Sequence, residues 1–277
     1  MPSTEQIALQ HTLPPDEPVV KFENVSISFD GNEVLRDISF TVMPGETKML
    51  LGPAGGGKSV LMKLVDGLLR PDSGKIFVFG EEVSAMKERD LFALRRRIGM
   101  VFQESALFDS LNVEDNVAYR LNEEGIPPDE AHQRVVEALD FVELGHAIAK
   151  FPSELSGGMR RRVSIARAII TGPDLILYDS PTGGLDPITS TTIISLVAKQ
   201  RDVSHTTSLL ITHRLQDAFM LATHCYNQKE QRLEPLANGT VEENTKFLIL
   251  NEGHVVFDGS TLELTHSDDP WIKEYLA

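Results

Sequence analysis

Residues Gly52-Pro53-Ala54-Gly55-Gly56-Gly57-Lys58-Ser59 reproduce the spacing G-x-x-x-x-G-K-[ST]. Their chemistry is that of a polyphosphate cradle. Glycines leave successive backbone N–H groups free of Cβ obstruction, and a helix beginning here would add the positive end of its dipole. The Lys58 ammonium would reach β- and γ-phosphates, and the Ser59 hydroxyl would ligate Mg²⁺. With Val60 in the first helical turn, residues 52–60 form the candidate nucleotide-binding segment. A glycine-rich flexible turn is the alternative, and the flanking elements decide against it. Asp179 closes the apolar run Leu175-Ile176-Leu177-Tyr178, where a carboxylate leaving the sheet's carboxyl edge would meet the Mg²⁺ shell. Alone, such an aspartate reads as a cap or turn residue; beside a phosphate loop it points to nucleotide binding.

The elements that must position these groups follow from hydrophobic patterning. Val19 to Phe29, Val34 to Val42 and Glu46 to Leu51 read as strands, separated by Asp30-Gly31-Asn32 and Pro44-Gly45. Apolar spacing from Ser59 to Leu69, stopped by Pro71, predicts a helix after the glycine loop. Helices are also predicted over Ala131 to Leu144 and Arg162 to Ile170. The uninterrupted runs Leu175 to Tyr178 and Ser208 to Ile211 have the length of strands buried on both faces. Strands alternating with helices predict an α/β core with a largely parallel sheet. Residues 226–245 turn polar and read as an excursion from the core, followed by a hairpin from Phe247 to Phe257 around Asn251-Glu252-Gly253. Residues 1–18, with four prolines and no apolar period, read as a mobile tail.

Composition bounds the partners. Of 277 residues, 41% are hydrophobic and 24% charged, so the chain can bury a sizeable core. Its 41 acidic against 26 basic residues give a net charge of −15, which argues against a nucleic-acid partner. Cys225 stands alone and cannot form an internal disulfide, which fits a reducing compartment. Residues 1–18 carry neither the basic start nor the apolar block of an export signal. No stretch approaches 18 uninterrupted apolar residues, so membrane work is expected to pass through a partner.

Leu155-Ser156-Gly157-Gly158-Met159, ahead of Arg160-Arg161-Arg162, is by itself only a turn. In this order, between the phosphate loop and Asp179, it makes residues 19–277 closely resemble the nucleotide-binding subunit of ABC transporters. The resemblance implies a P-loop NTPase (RecA-like) core over 19–103 and 164–277, with an antiparallel β subdomain, and a helical subdomain over 104–163. It implies that Ser156, Gly157, Gly158 and Met159 face the γ-phosphate held by a second protomer, Met159 standing where glutamine is commoner. By the same resemblance Phe29 stacks on adenine, although it also reads as an ordinary strand aromatic. Gln103 touches Mg²⁺, Gly184-Leu185-Asp186 crosses the dimer interface, and His213 senses the γ-phosphate. The family normally has a water-polarising glutamate after the strand aspartate; this chain reads Asp179-Ser180-Pro181. A serine hydroxyl is a poor proton acceptor, so slow ATP hydrolysis is expected.

Ala106 to Val113, Glu114 to Val117, Leu185 to Ser190 and Ser267 to Trp271 resemble the ATPase of MCE-type (Mla-like) lipid transport systems. That likeness implies a homodimer of cassettes on the cytoplasmic face of a bacterial inner membrane. Its partners would be an integral-membrane permease and a periplasmic MCE lipid-binding protein. A permease helix would dock near Phe102 to Val113, with Phe108 as its aromatic anchor; Leu107 and Leu111 read equally as filling for the local core.

Overall fold

The computed structural model describes residues 14, 16–237 and 240–277. Most of the predicted tail, and positions 238 and 239 of the polar excursion, lie outside the described residues.

Strands β1 (Val20–Phe29) and β2 (Asn32–Val42) form an antiparallel hairpin, which continues through β4 (Ser73–Val78) and β5 (Glu81–Glu82) in the order β2-β1-β4-β5. The tight turn at Asp30 and Gly31 uses positive φ at both residues (49° and 79°), which suits the twist of the flanking strands. A second sheet has the order β12-β11-β3-β8-β7-β6. It comprises β3 (Thr47–Leu51), β6 (Ile98–Val101), β7 (Leu175–Asp179), β8 (Thr207–Ile211), β11 (Thr245–Asn251) and β12 (His254–Ser260). Every pairing within it is parallel except β11 with β12.

Period-two side-chain alternation splits each buried strand between two cores. Leu175, Leu177, Leu209, Ile211 and Leu50 join the core shared with β1, β2 and β4. Ile176, Tyr178, Leu210, Met49 and Leu51 face the opposite core. That second core contains residues of helices α3 (Val113–Glu123), α4 (Pro128–Phe141), α5 (Gly157–Ile169), α6 (Pro187–Ser204) and α7 (Leu215–Thr223). Helix α1 (Lys58–Val65) follows β3, α2 (Glu88–Arg95) precedes β6, and α8 (Thr261–Thr265) and α9 (Pro270–Leu276) end the chain.

Helix α1 stops before the predicted Leu69, because Gly67 at φ 70° turns the chain where a Cβ would come within 2.6 Å of Leu91. Helix α5 begins five residues earlier than its apolar pattern, since Ser156 caps it by accepting the Met159 amide at 3.2 Å. The polar excursion is a separate two-stranded ladder, β9 (His224–Asn227) with β10 (Arg232–Pro235). Arg201 on α6 ties its root by donating to the Leu221 carbonyl at 2.5 Å and the His224 carbonyl at 2.8 Å. Among the described residues, no helix is long and apolar enough to cross a membrane.

Candidate functional site

Parallel strands bring their carboxyl ends to one edge of a sheet, and here four of them carry the residues singled out by the sequence. The phosphate loop leaves β3, Gln103 follows β6, Asp179 ends β7 and His213 follows β8. Register fixes their level, with Leu50 opposite Ile211, Asp179 opposite Ile211 and Val101 opposite Tyr178.

The loop is locked to its own chain. Gly52 has φ 134°, and a Cβ there would lie 2.1 Å from the Leu250 carbonyl oxygen on β11, so only glycine fits. Its amide donates to the Tyr275 hydroxyl at 3.0 Å, which ties the loop to α9. Gly55 and Gly57 have positive φ (78° and 87°) on either side of Gly56. Alternation of this kind turns consecutive backbone N–H groups to one side, forming an anion-binding concavity. Gly57 also touches the β2 end, where a Cβ would come 2.5 Å from Leu35 Cδ2. Pro53, Ala54, Gly55 and Ser59 are exposed, while Gly52, Gly57 and Lys58 are buried and Val60 is half-buried.

Lys58 Nζ donates to the carbonyls of Gly52 at 2.9 Å and Pro53 at 2.6 Å. Burial lowers its pKa, and the nearby Asp179 carboxylate opposes that shift. His213, exposed at the loop after β8, is held below the ordinary histidine range by partial desolvation and then by Lys58, with Asp179 opposing. The carboxyl ends of β3, β7 and β8 bring Lys58, Asp179 and His213 to one edge of the sheet, where the Asp179 charge acts on Lys58 and both act on His213. An ammonium, a concavity of backbone amides and a carboxylate at the strand end together fit a magnesium-bound nucleotide polyphosphate.

Ser180 donates its hydroxyl to Asp179 Oδ1 at 3.3 Å, and its amide donates to the Ile211 carbonyl at 3.0 Å. It is buried and has φ 48°. Gln103 is exposed, with its side chain beside Gly183: a Cβ built there would be 3.4 Å from Gln103 Cγ. Phe29 is 40% exposed at the end of β1, paired in register with Asn32.

The Ser156–Met159 turn is different in kind. Ser156 and Gly157 are exposed, and among the described residues no hydrogen bond or ion pair joins 156–159 to 52–59. Gly158 permits a close approach to α6, since a Cβ there would come 2.4 Å from Thr189 Cγ2. Asp186 caps α6 by accepting the amides of Ile188 and Thr189, both at 3.0 Å.

Two residues were missed by reading the sequence. Tyr275 is separated from Gly52 by more than 200 positions, so no local signal links them. Arg161 looks like part of an exposed basic run, yet it is 4% exposed and donates to the Phe102 carbonyl at 2.8 Å and to the Gln103 carbonyl. In the segment considered for docking, Phe108 is 43% exposed and lies against Tyr119 with ring centroids 4.7 Å apart. Leu107 is partly buried against the core, and Asn116 ties the turn by donating to the carbonyls of Phe108 and Leu111, each at 3.0 Å.

Comparison with known proteins agrees with this arrangement. The family model described as "ABC transporter" matches residues 35–183. The intermembrane phospholipid transport system ATP-binding protein MlaF of Escherichia coli K12 is 34% identical over 93% of this chain and 88% of its own length. The methionine import ATP-binding protein MetN of Mesorhizobium japonicum is 42% identical over 72% of this chain and 54% of its own. Among solved structures, the dimeric post-hydrolysis state of the ATP-binding cassette MJ0796 bound to ADP and Pi superposes with a TM-score of 0.73 and 26% identity. It covers 87% of this chain and 98% of that one. Phosphate loop, sheet edge and these matches lead to one conclusion: this chain belongs to the ABC transporter family, as an ATP-binding subunit with the P-loop ATPase fold.

Proposed function

We propose that the chain binds ATP with Mg²⁺ along residues 52–60 and works as a head-to-tail pair that energises phospholipid movement through a membrane permease. The observation that carries the nucleotide half is the shared carboxyl edge of β3, β6, β7 and β8. Lys58 would exchange its two loop carbonyls for β- and γ-phosphate oxygens, a stronger charge-assisted pairing. Ser59, Gln103 and Asp179 would hold the metal, which when bound neutralises phosphate charge. Phe29 would lie against the base, and His213, kept neutral, would offer a ring nitrogen to the γ-phosphate. Ser156 and Gly157, which are exposed, together with the half-buried Gly158 and Met159, would serve the nucleotide of the second copy. Similarity over most of the chain to MlaF, the ATP-binding protein of an intermembrane phospholipid transport system, supports phospholipid as the cargo. A place at the inner membrane beside a permease and an MCE protein completes the proposal. Similarity to MetN over a shorter span keeps methionine as the competing cargo.

Ser180 favours a second reading. Its hydroxyl is already engaged with Asp179, and the pair of identical sites would lack a carboxylate base at that position. The complex would then close on ATP and hydrolyse it slowly, acting as an ATP-gated regulator or scaffold more than as a rapid motor.

The test is transport by the chain purified with its permease from native membranes and reconstituted in vesicles. ATP-dependent transfer of labelled phospholipid, lost in Lys58→Ala, is the expected result. Methionine uptake without phospholipid transfer would overturn the cargo, and brisk hydrolysis would overturn the gated reading.

A further inference from the structure

The Arg161 guanidinium lies where carbonyls from two turns converge. Nη1 donates to the Phe102 carbonyl at 2.8 Å and reaches that of Ser180 at 3.5 Å. Nη2 donates to the Gln103 carbonyl and reaches that of Gly183 at 3.5 Å. Each terminal nitrogen therefore spans both turns, one following β6 and the other following β7. The side chain is 4% exposed, and all four acceptors are neutral main-chain groups. Burial pulls its pKa down, with the Asp179 and Glu104 charges opposing.

A buried cation without a bonded carboxylate is costly, and an apolar side chain in such a place is often as stable or more so. Stability of the fold gives no reason for arginine here. Position gives one. Arg161 stands on α5, the helix capped by Ser156, so it links that outward turn to the Gln103 and Ser180–Gly183 segments. We propose that Arg161 is a positioning residue that couples the two nucleotide sites of the paired chains. Through it, the α5 turn that serves one nucleotide follows the segments that line the other. The proposal rests on the paired reading above and adds to it a specific mechanical link.

The bonding pattern suits a switch. Contacts to the 102–103 side are short, those to the 180–183 side are longer, and Nε is buried without a partner. A small rotation that shortens the second set would lengthen the first, giving two arrangements that displacement at either turn can bias. Only a planar fork can bridge both turns at once; a lysine ammonium keeps the charge but not the bridge.

Arg161→Lys in the full chain is the test. Three quantities are needed: Mg-ATP affinity by calorimetry at low protein concentration, ATP-dependent self-association by sedimentation, and thermal unfolding without nucleotide. Affinity within about twofold of the parent, unchanged melting, and an ATP requirement for association raised about tenfold are expected, within the usual range of coupling between sites. Association at the parent's ATP concentration would overturn the proposal. So would a loss of ATP affinity and melting temperature in proportion to the loss of association, because that marks a merely structural arginine.

Gly183→Ala approaches the same link from the acceptor side, since its Cβ would lie 3.1 Å from the Ser180 carbonyl oxygen and 3.4 Å from Gln103 Cγ. It should shift association in the same direction, and the double variant should do no worse than Arg161→Lys alone; additive losses would mean two independent effects and no link. A parent that binds Mg-ATP yet never associates would overturn the paired reading itself. A parent that associates while Arg161→Lys matches it would overturn only the coupling.

Discussion

The phosphate loop and the Ser156–Met159 turn both lead into helices through glycines, but the chain treats them in opposite ways. The first is pinned at both ends within its own chain, although Pro53 to Gly55 and Ser59 stay exposed: Leu250 beneath Gly52, Tyr275 on its amide, Leu35 beside Gly57, and a buried Lys58 folded onto two carbonyls. The second is exposed at Ser156 and Gly157 and fixed at its root, by the Ser156 cap, the approach of Gly158 to Thr189 and the packing of Met159 on the core. A built cradle and a rigid outward turn are what a site shared between two chains would require. The contrast teaches that completeness of local contacts separates a turn that serves its own chain from one that awaits another.

Ser180, on the segment between these regions, carries the largest expected effect. Ser180→Glu should raise ATP turnover about 100-fold if the remaining groups are already placed, since a positioned general base commonly contributes 10²–10⁴. No gain, with rapid turnover by the parent, would shift attention to His213 or Glu104 as the group that activates water. Lys58→Ala should weaken Mg-ATP binding by about 2–3 kcal/mol, the usual worth of hydrogen bonds from a charged donor, and calorimetry would read this as a loss of roughly 30- to 150-fold. Equal affinities would show that the cradle binds something else.

The far end of α1 offers a control on stability that should leave both turns untouched. Asp66 is buried, accepts the Leu68 amide at 3.0 Å, and has its pKa pushed up to about 6, chiefly by burial. Because the folded state binds this proton more tightly than the unfolded chain, the stabilisation is present at low pH and is lost as pH rises through about 6. Asp66→Asn keeps the acceptor without the charge. It should be more stable than the parent at pH 8 by on the order of 2 kcal/mol, with the two melting curves converging only below about pH 4, where the carboxyl is protonated in the unfolded chain as well. Parallel curves across that range would contradict the burial argument. A smaller effect is expected at Tyr275→Phe, which removes the acceptor of the Gly52 amide: ATP affinity should fall about fivefold, for about 1 kcal/mol, without altering ATP-dependent association once ATP is saturating.

What was legible in the sequence follows the range of the forces involved. The phosphate loop could be read because its requirement is local, positive φ at glycines next to a lysine. Leu175 to Tyr178 and Ser208 to Ile211 could be read because strands buried on both faces have no polar side. Helix α6 was hidden for a related reason: it buries Ser190, Gln200 and Arg201 along with Ile193, Ile194 and Val197, leaving no one-sided apolar stripe. Arg161 sits between an exposed Arg160 and a half-buried Arg162, and only the rotation of α5 turns it inward. The Tyr275 contact depends on where α9 comes to rest, which no neighbouring residue announces.

Mixing two variants tests the shared-site account most directly. Lys58→Ala removes the cradle of a chain but not its outward turn. Gly157→Asp does the reverse, because among the described residues a Cβ there meets only Leu185 Cδ2 at 3.6 Å, an ordinary contact, while the added carboxylate would oppose a partner's phosphate. Sedimentation in Mg-ATP should find each variant monomeric alone, whereas an equal mixture should form heterodimers, since one of the two sites in such a pair is intact. A mixture that sediments as the simple average of its two components would contradict the shared site.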